Sequence, residues 1–546
     1  MKDTIAYPVE PDYVEYLRDE SRLQGQAKAI SFPGNEQEVQ QVLAGLSASS
    51  TPATVQGART GISGGAVPFE GHILNLSRMD RVLGLSRDGD RFLLRVQPGV
   101  LLEKINEALH KKEFVSEYWD RNSKETLEAF QQAGVYFFPP DPTETTASIG
   151  GMAANNASGA RSFFYGQTRQ YIERLRVVLP DGSAVALHRG RQKASGHHFR
   201  LQIEGGRILE GELPSYKLPQ VKNVAGYYVQ EEMDLLDLFI GSEGTLGVIT
   251  ELELILAPYP QAVWGIMCFF AEESQAVRFV CRLRGRAQAA AAGELHGAEL
   301  RSTEPVARAA AKTTCQPVAL EFFDSHALKL LREQKEGNPA FTELPAAPQD
   351  QGAAIYVEYH GKDEEQIEEQ VFSMAELIAK YGGDEDSTWM ATNTGELERL
   401  KNYRHALPEA VNLLIDERRK ENPGLMKLGT DMAVPDSALE QVLALYNRDL
   451  EASGLEYVKF GHIGNNHIHV NILSRSMEEY DQGRSLYSRW ADAVVDLGGT
   501  ISAEHGIGKL KKDLLVRMFG PEAIKQMQAL RQIFNPKDLL NRGNSI

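Results

Sequence analysis

Cysteine is scarce in this sequence. Cys268, Cys281 and Cys315 are its only three, and no two stand in CxxC spacing. That excludes a disulfide framework and a four-Cys iron–sulfur cluster held within the chain, and it fits a reducing, cytoplasmic setting. Basic residues are outnumbered: 58 Lys+Arg against 75 Asp+Glu give a net charge of −17. A nucleic-acid partner therefore lacks its basic footprint, whereas a small anionic substrate needs only a local Arg or Lys. No run of ~18 apolar residues occurs, so no membrane span is expected and any membrane contact is peripheral. The opening segment MKDTIAYPVEPDYVEYLRDESR has no apolar h-region, so no secretory signal is expected. What is present is an ordinary globular composition, 42% hydrophobic and 24% charged with 48 Gly and 24 Pro, over 546 residues. At ~100–200 residues per domain, that length predicts two to four domains.

The stretch 1–30 is polar and reads as helix. Residues 27–99 alternate short β-like runs (HILNLSRM, FLLRVQPGV) with Gly/Pro turns, and 101–136 is mostly helical. RLRVVLPDGSAVAL reads as strand, Asp-Gly turn, strand. Beyond Pro258 and Pro260 the texture changes. WGIMCFF, PVALEFF and AAIYVEY are apolar strand-like runs, each followed by a helical pattern, which predicts a second sheet covered by helices. The Ala-rich run 287–292 reads as helix, and the tail as a helix stopped by Asn-Pro.

Three glycine-rich loops follow β-runs. They hold Gly57, Gly61, Gly64 and Gly65, then Gly150, Gly151 and Gly159, then Gly241, Gly244 and Gly247. Glycine lets backbone N–H groups approach a ligand, and successive N–H groups make an anion-binding concavity. Taken singly, each loop reads as tight turns. The spacing is neither GxGxxG opening a helix nor GxxxxGK[ST].

Near the C-terminus, VKFGHIGNNHIHVNI and GGTISAEHGIGKLK bring His462, His467, His469, Glu504 and His505 close in sequence. On a strand, His467, His469 and Asn471 point to one face. Two imidazoles and a carboxylate are a normal donor set for Zn²⁺ or another divalent first-row metal. A hydrogen-bonded polar cluster at a domain junction fits the same spacing.

VQGARTGISGGAVP, PPDPTETTASIGGMAANNASGARSFFYG and GSEGTLGVITELEL together resemble the FAD-binding half of the vanillyl-alcohol-oxidase/PCMH flavoproteins. The resemblance implies an α+β fold: a PCMH-type two-subdomain FAD-binding domain (1–258), a substrate or cap domain with a ferredoxin-like sheet and helices (259–514), and a C-terminal segment (515–546) returning to the flavin. It places Gly57, Arg59, Thr60, Gly61, Ser63, Gly64 and Gly65 at the diphosphate. Pro140, Asp141, Thr146, Ser148, Gly151, Asn155, Ser158 and Gly159 follow the cofactor inward. Glu243, Gly244, Gly247, Val248 and Ile249 lie at its far end, and Asn541 reaches back from the tail. The first loop contains no His, so non-covalent FAD is expected.

FGHIGNNHIHVNI and ISAEHGIG resemble the signatures of the D-2-hydroxyacid dehydrogenase branch, which acts on D-lactate, D-2-hydroxyglutarate or glycolate. By that resemblance His462, His469 and Glu504 hold a divalent metal, zinc first among candidates. His505 is the general base, Asn471 contacts substrate and Arg404 pairs with the substrate carboxylate; Lys427 is a weaker second cation. Lys222-Asn223-x-x-Gly226-Tyr227 matches a segment beside the cofactor. Two departures stand out. His467 occupies a place that usually holds Asn, and could act as a ligand or touch substrate. Gly429 stands where a Lys clamps a second, distal carboxylate, which leans the reading towards a short acid such as D-lactate. Expected partners are the 2-hydroxy acid and an electron acceptor (quinone, electron-transfer flavoprotein or iron–sulfur subunit), with no nucleic acid and a homodimer possible. The alternatives are an alkyl-glycerone-phosphate synthase-like enzyme, a non-catalytic FAD-binding subunit and a flavin-free metal hydrolase.

Overall fold

The computed structural model describes residues 6–294 and 316–546; Cys315 lies outside them. The N-terminal stretch is not the helix its polarity suggested. It holds a strand at Ala6–Pro8 and a single 3-10 turn at Val14–Leu17, followed by the strand Ala29–Ser31. Tyr7, Tyr13 and Tyr16 supply the reason. Tyr13 and Tyr16 pack on Phe32 and Tyr7 on Tyr13, with ring centroids between 5.3 and 6.0 Å apart, an aromatic cluster that outweighs helix propensity.

The first sheet runs in the order Ala6–Pro8, Ala29–Ser31, His72–Asn75, Ala53–Gln56, with the last three strands parallel. Helix Glu36–Ala48 makes the crossover. Asn35 caps it by accepting from Glu38 N–H at 3.0 Å, and the Glu38 carboxylate accepts from Gly34 N–H at 2.7 Å. The first glycine loop leaves the C-terminal end of Ala53–Gln56, where parallel strands present ligand sites.

The second sheet is five-stranded and antiparallel, in the order Val82–Asp88, Arg91–Val96, Val248–Ile255, Ile172–Val178, Ala184–His188. The expected helices within 101–136 are Leu102–Lys111 and Arg121–Gln132. Their role is packing at the outer strand. Phe130 meets Phe92 edge-on, and Trp119 Nε1 donates to Val82 O at 3.0 Å, which covers a sheet edge otherwise open to pairing.

The third sheet has seven antiparallel strands. Its first four lie in the order Gly383–Ala391, Ala262–Phe270, Ala353–Gly361, Pro317–Asp324, which is the ferredoxin-like 4-1-3-2 arrangement. Tyr457–Gly461, His469–Ile472 and Leu428–Gly429 extend it. The apolar runs are continuous because both faces are covered. Met267, Phe269 and Phe323 pack with helices Ser325–Gly337 and Thr394–Glu421, while Ile266, Cys268 and Phe322 pack with Glu273–Glu294 and Glu364–Lys380. The tail helix Lys512–Phe534 gives way at Asn535-Pro536 to a segment that returns to the first sheet. There Ala53 N–H donates to Leu539 O at 2.8 Å, and Leu540 is buried among Val39, Leu43 and Leu74. Among the described residues, no helix is long and apolar enough to cross a membrane.

Candidate active site

A cavity of about 1020 Å³ separates the glycine loops from the edge of the seven-stranded sheet, at the large end of the range for small-molecule sites. Gly57, Arg59, Thr60, Gly61, Ser63, Gly65, Ser148, Gly151, Asn155, Ser158, Glu243, Gly244, Gly247, Val248, Ile249 and Asn541 line it. Gly64, Pro140, Asp141, Thr146 and Gly159 do not. Gly64 (φ +77°) turns the loop against Leu23. Gly159 backs onto the Asp141 carbonyl, where a Cβ would sit 1.9 Å away. The Asp141 carboxylate accepts from Arg161 N–H at 3.2 Å, and exposed Thr146 donates its hydroxyl to Glu144 at 2.6 Å.

The cavity suits a long, polar cofactor. At Gly57 a Cβ would lie 2.1 Å from Ser148 Oγ, so only glycine lets the first and second loops close on each other. Ser158 Oγ is buried with no hydrogen-bond partner among the described residues, which leaves it for a ligand. Asn541 joins the far end. Its Oδ1 accepts from Val55 N–H at 2.7 Å and its Nδ2 donates to Glu243 O at 2.6 Å.

All three glycine loops also grip the turn that carries Glu504 and His505. Ser63 Oγ donates to His505 O at 3.0 Å, and Asn155 Nδ2 to Glu504 O at 2.7 Å. The Glu243 carboxylate accepts from Ile507 N–H at 2.7 Å and Gly508 N–H at 2.8 Å.

On the opposite wall, His462 follows the strand Tyr457–Gly461 and His469 opens the next strand, so the intervening 3-10 turn folds one beside the other. Glu504 stands between them. Its Oε2 is 3.3 Å from His462 Nε2, and its Oε1 is 3.3 Å from His469 Nε2 and 3.5 Å from His505 Nε2. Lys222 Nζ lies 2.5 Å from Glu504 Oε2. Burial alone would raise the Glu504 pKa, but Lys222 and His462 outweigh it and hold the carboxyl well below its ordinary range. Burial would likewise lower His462; the Glu321 and Glu504 carboxylates push it up to about 9. For His505, burial wins over Asp431 and Glu504, so its pKa falls below the ordinary histidine value. Asp431 accepts from Glu504 N–H at 3.1 Å, His505 N–H at 3.0 Å, the Ser502 hydroxyl at 2.8 Å and Lys511 Nζ at 2.6 Å.

Arg404 and Asn471 line the same cavity. Arg404 Nη1 is 3.8 Å from Glu321 Oε2 and Nη2 is 3.0 Å from His405 Nε2. Arg404 Nε and Asn471 Nδ2 are buried without hydrogen-bond partners among the described residues. Pro408, inside the helix Thr394–Glu421, has no N–H for the Arg404 carbonyl and interrupts the ladder beside the site. Lys427 Nζ is 3.1 Å from Asn412 Oδ1, and burial pushes its pKa down to about 8. At Gly429 a Cβ would meet Asn471 Oδ1 at 2.6 Å, so a side chain there competes with Asn471.

Sequence reasoning missed Glu321, Asp431 and Lys511. Only Glu321 left a signal in the sequence, as a lone carboxylate in the apolar run PVALEFF; that Asp431 is fully buried is visible in the structure alone.

Glycine loops closing on an elongated cavity, with an imidazole–carboxylate cluster on its far wall, define an FAD-dependent oxidoreductase. The comparisons agree. The model for "FAD linked oxidases, C-terminal domain" matches residues 289–545, and the "FAD binding domain" model matches 27–121 and 123–188. The chain belongs to this family of FAD-linked oxidases. It is 28% identical over 542 residues to a D-lactate dehydrogenase of Anaerostipes hadrus, covering 97% of this chain and 92% of that protein. It is 26% identical to a glycolate oxidase subunit of Bacillus subtilis (95% and 89% covered) and to the mitochondrial D-2-hydroxyglutarate dehydrogenase of Bos taurus (98% and 79% covered). A solved alkyldihydroxyacetonephosphate synthase shares the fold, with a TM-score of 0.57 at 15% identity over 95% of this chain and 77% of that one.

Proposed function

We propose that this protein oxidises a D-2-hydroxy acid, D-lactate in preference to a longer diacid, to the 2-oxo acid, with non-covalent FAD and a divalent metal ion, zinc the first candidate. Electrons leave to an external acceptor: a quinone, an electron-transfer flavoprotein or an iron–sulfur subunit. The observation that carries the reading is the convergence of His462, His469, Glu504 and His505 on one cavity wall, on a turn gripped by all three glycine loops. In this reading 1–258 binds FAD, 259–514 supplies the substrate site, and 515–546 closes the cofactor cavity.

The donor set suits a metal: two imidazole nitrogens and a carboxylate held ionised, each imidazole fixed from behind. His462, His469 and Glu504 would hold the ion, which would supply Lewis-acid polarisation of the substrate hydroxyl. FAD, when bound between the loops, supplies the two-electron sink. The other roles belong to the chain. Arg404 offers a guanidinium with a free buried Nε to the substrate carboxylate, and Asn471 offers Nδ2. His505 is neutral at physiological pH, as a proton acceptor must be, and Asp431 fixes it through the backbone N–H. Gly429 leaves no distal clamp at its position, which favours a short acid.

Steady-state kcat/KM with a dye acceptor, across D-lactate, glycolate, D-2-hydroxyglutarate and L-lactate, tests the reading. D-lactate should be the best substrate and L-lactate inactive. A preference for D-2-hydroxyglutarate would overturn the short-acid assignment, and no turnover with any of them the reaction class.

A further inference from the structure

The two-imidazole, one-carboxylate set leaves one group unexplained. His467 is wholly buried beside it, lines no part of the cavity, and has neither Nδ1 nor Nε2 in a hydrogen bond among the described residues. We infer that His467 is a fourth protein ligand of the metal ion, so that this chain builds a three-imidazole, one-carboxylate site. The inference rests on the metal reading above and goes beyond it.

All three imidazoles turn a ring nitrogen towards Glu504. His462 has Nδ1 2.7 Å from the Glu321 carboxylate and Nε2 turned to Glu504 at 3.3 Å. His469 has Nδ1 2.8 Å from the Thr430 carbonyl and Nε2 turned to Glu504 at 3.3 Å. His467 has Nε2 3.1 Å from Asp431 Oδ1 and Nδ1 turned to Glu504 Oε2 at 3.9 Å. For His462 and His469 an acceptor holds the rear nitrogen and the front nitrogen faces Glu504, the usual support of a metal-bound imidazole. For His467 neither ring nitrogen makes a hydrogen bond among the described residues, although Nε2 stands beside Asp431. The four ligand atoms lie within 4.8 Å of one another. Around a tetrahedral zinc with bonds of ~2.0–2.1 Å they would be on the order of 3.4 Å apart, so closing the shell draws the most distant pair together by at most about 1.4 Å.

Polar packing alone explains this poorly. A buried ring nitrogen with no partner is costly unless something ligates it, and an Asn would fill the position with less apolar-buried ring. Asp431 also lies within ligand range together with Glu504 and His505, but its carboxylate already accepts from Glu504 N–H, His505 N–H, the Ser502 hydroxyl and Lys511, which compete with a metal ion for its lone pairs. Lys222 at 2.5 Å offsets part of the Glu504 charge. Imidazole nitrogen then dominates the donor set, which selects Zn²⁺, Co²⁺ or Ni²⁺ over Mg²⁺ and Mn²⁺.

The test uses FAD-loaded full-length protein stripped with a chelator. Zn²⁺ and Co²⁺ are titrated against a competing chelator, the Co²⁺ difference spectrum is recorded, and zinc-edge X-ray absorption counts imidazoles. The proteins are the parent, His467→Asn and His469→Asn. Three imidazoles in the parent and two in His467→Asn are expected, with affinity down about 10–100-fold and an altered Co²⁺ band; His469→Asn should lose at least as much. Unchanged affinity, spectrum and imidazole count in His467→Asn would refute the fourth ligand and leave the metal reading standing. If the parent binds neither metal, the metal reading itself fails. Should His467→Asn lose FAD or unfold, the imidazole count of the parent decides: three supports the inference, two overturns it.

Discussion

Asn541→Ala is the sharpest probe of how the tail closes the cofactor cavity. Asn541 is 3% exposed and sits at φ +46°, in the left-handed region that Asn tolerates better than Ala. Its side chain satisfies Val55 N–H and Glu243 C=O, one from the first sheet and one from the third glycine loop. Removing it leaves both groups short of a partner, at about 1–2 kcal/mol each, and the backbone conformation adds about 1 kcal/mol. The loss of about 3–5 kcal/mol falls on the tail and the loop mouth, so it should appear as local opening before global unfolding. At 1.4 kcal/mol per decade, FAD affinity should fall by about 10²–10³-fold. Reconstituting apoprotein with FAD and following the quenching of flavin fluorescence measures this directly. Asn541→Asp keeps the acceptor for Val55 and should lose roughly half as much free energy. If Asn541→Ala binds FAD within about threefold of the parent, the amide bridge does not close the cavity and this argument is wrong.

Three other outcomes follow from the same geometry. His505→Gln should retain FAD and metal yet reduce its flavin about 10²–10⁴-fold more slowly under anaerobic stopped flow; a normal rate excludes His505 as the base. Arg404→Met removes the proposed partner of the substrate carboxylate and should lower kcat/KM for D-lactate about 10–100-fold, mainly through KM, and a change confined to stability would count against the assignment. His72 is buried with Nε2 2.7 Å from Ser31 Oγ, and burial pushes its pKa down to about 4. The unfolded chain, with a His pKa near ~6.5, takes up that proton first as pH falls. Stability is therefore lost progressively from about pH 6.5 down to about pH 4, by up to about 3 kcal/mol. His72→Asn should flatten that part of the stability-versus-pH curve; a parallel curve sinks the assignment.

The parts of the site that were legible in the sequence are those written in short contiguous segments. The glycine loops announce close backbone approaches, which Gly57 against Ser148 makes concrete. The two histidine segments declare a donor set through residue type alone. What the sequence could not display is the support behind them. Glu321 and Asp431 come from strands and loops distant in sequence, and their function depends on burial against His462, His467 and His505. Helices 102–111 and 121–132 were legible as elements, but their place at the sheet edge depends on Trp119 reaching Val82, a contact between segments. The N-terminus misled because its polar residues hide three tyrosines, of which Tyr13 and Tyr16 pack on Phe32 and Tyr7 on Tyr13.

The central claim is flavin-dependent oxidation of a D-2-hydroxy acid in this cavity. The most direct test is the absorbance spectrum of the purified protein before and after anaerobic addition of D-lactate, with L-lactate as the control. The account predicts a flavin spectrum bleached by the D-acid and untouched by the L-acid. A bound flavin that no D-2-hydroxy acid bleaches would contradict it.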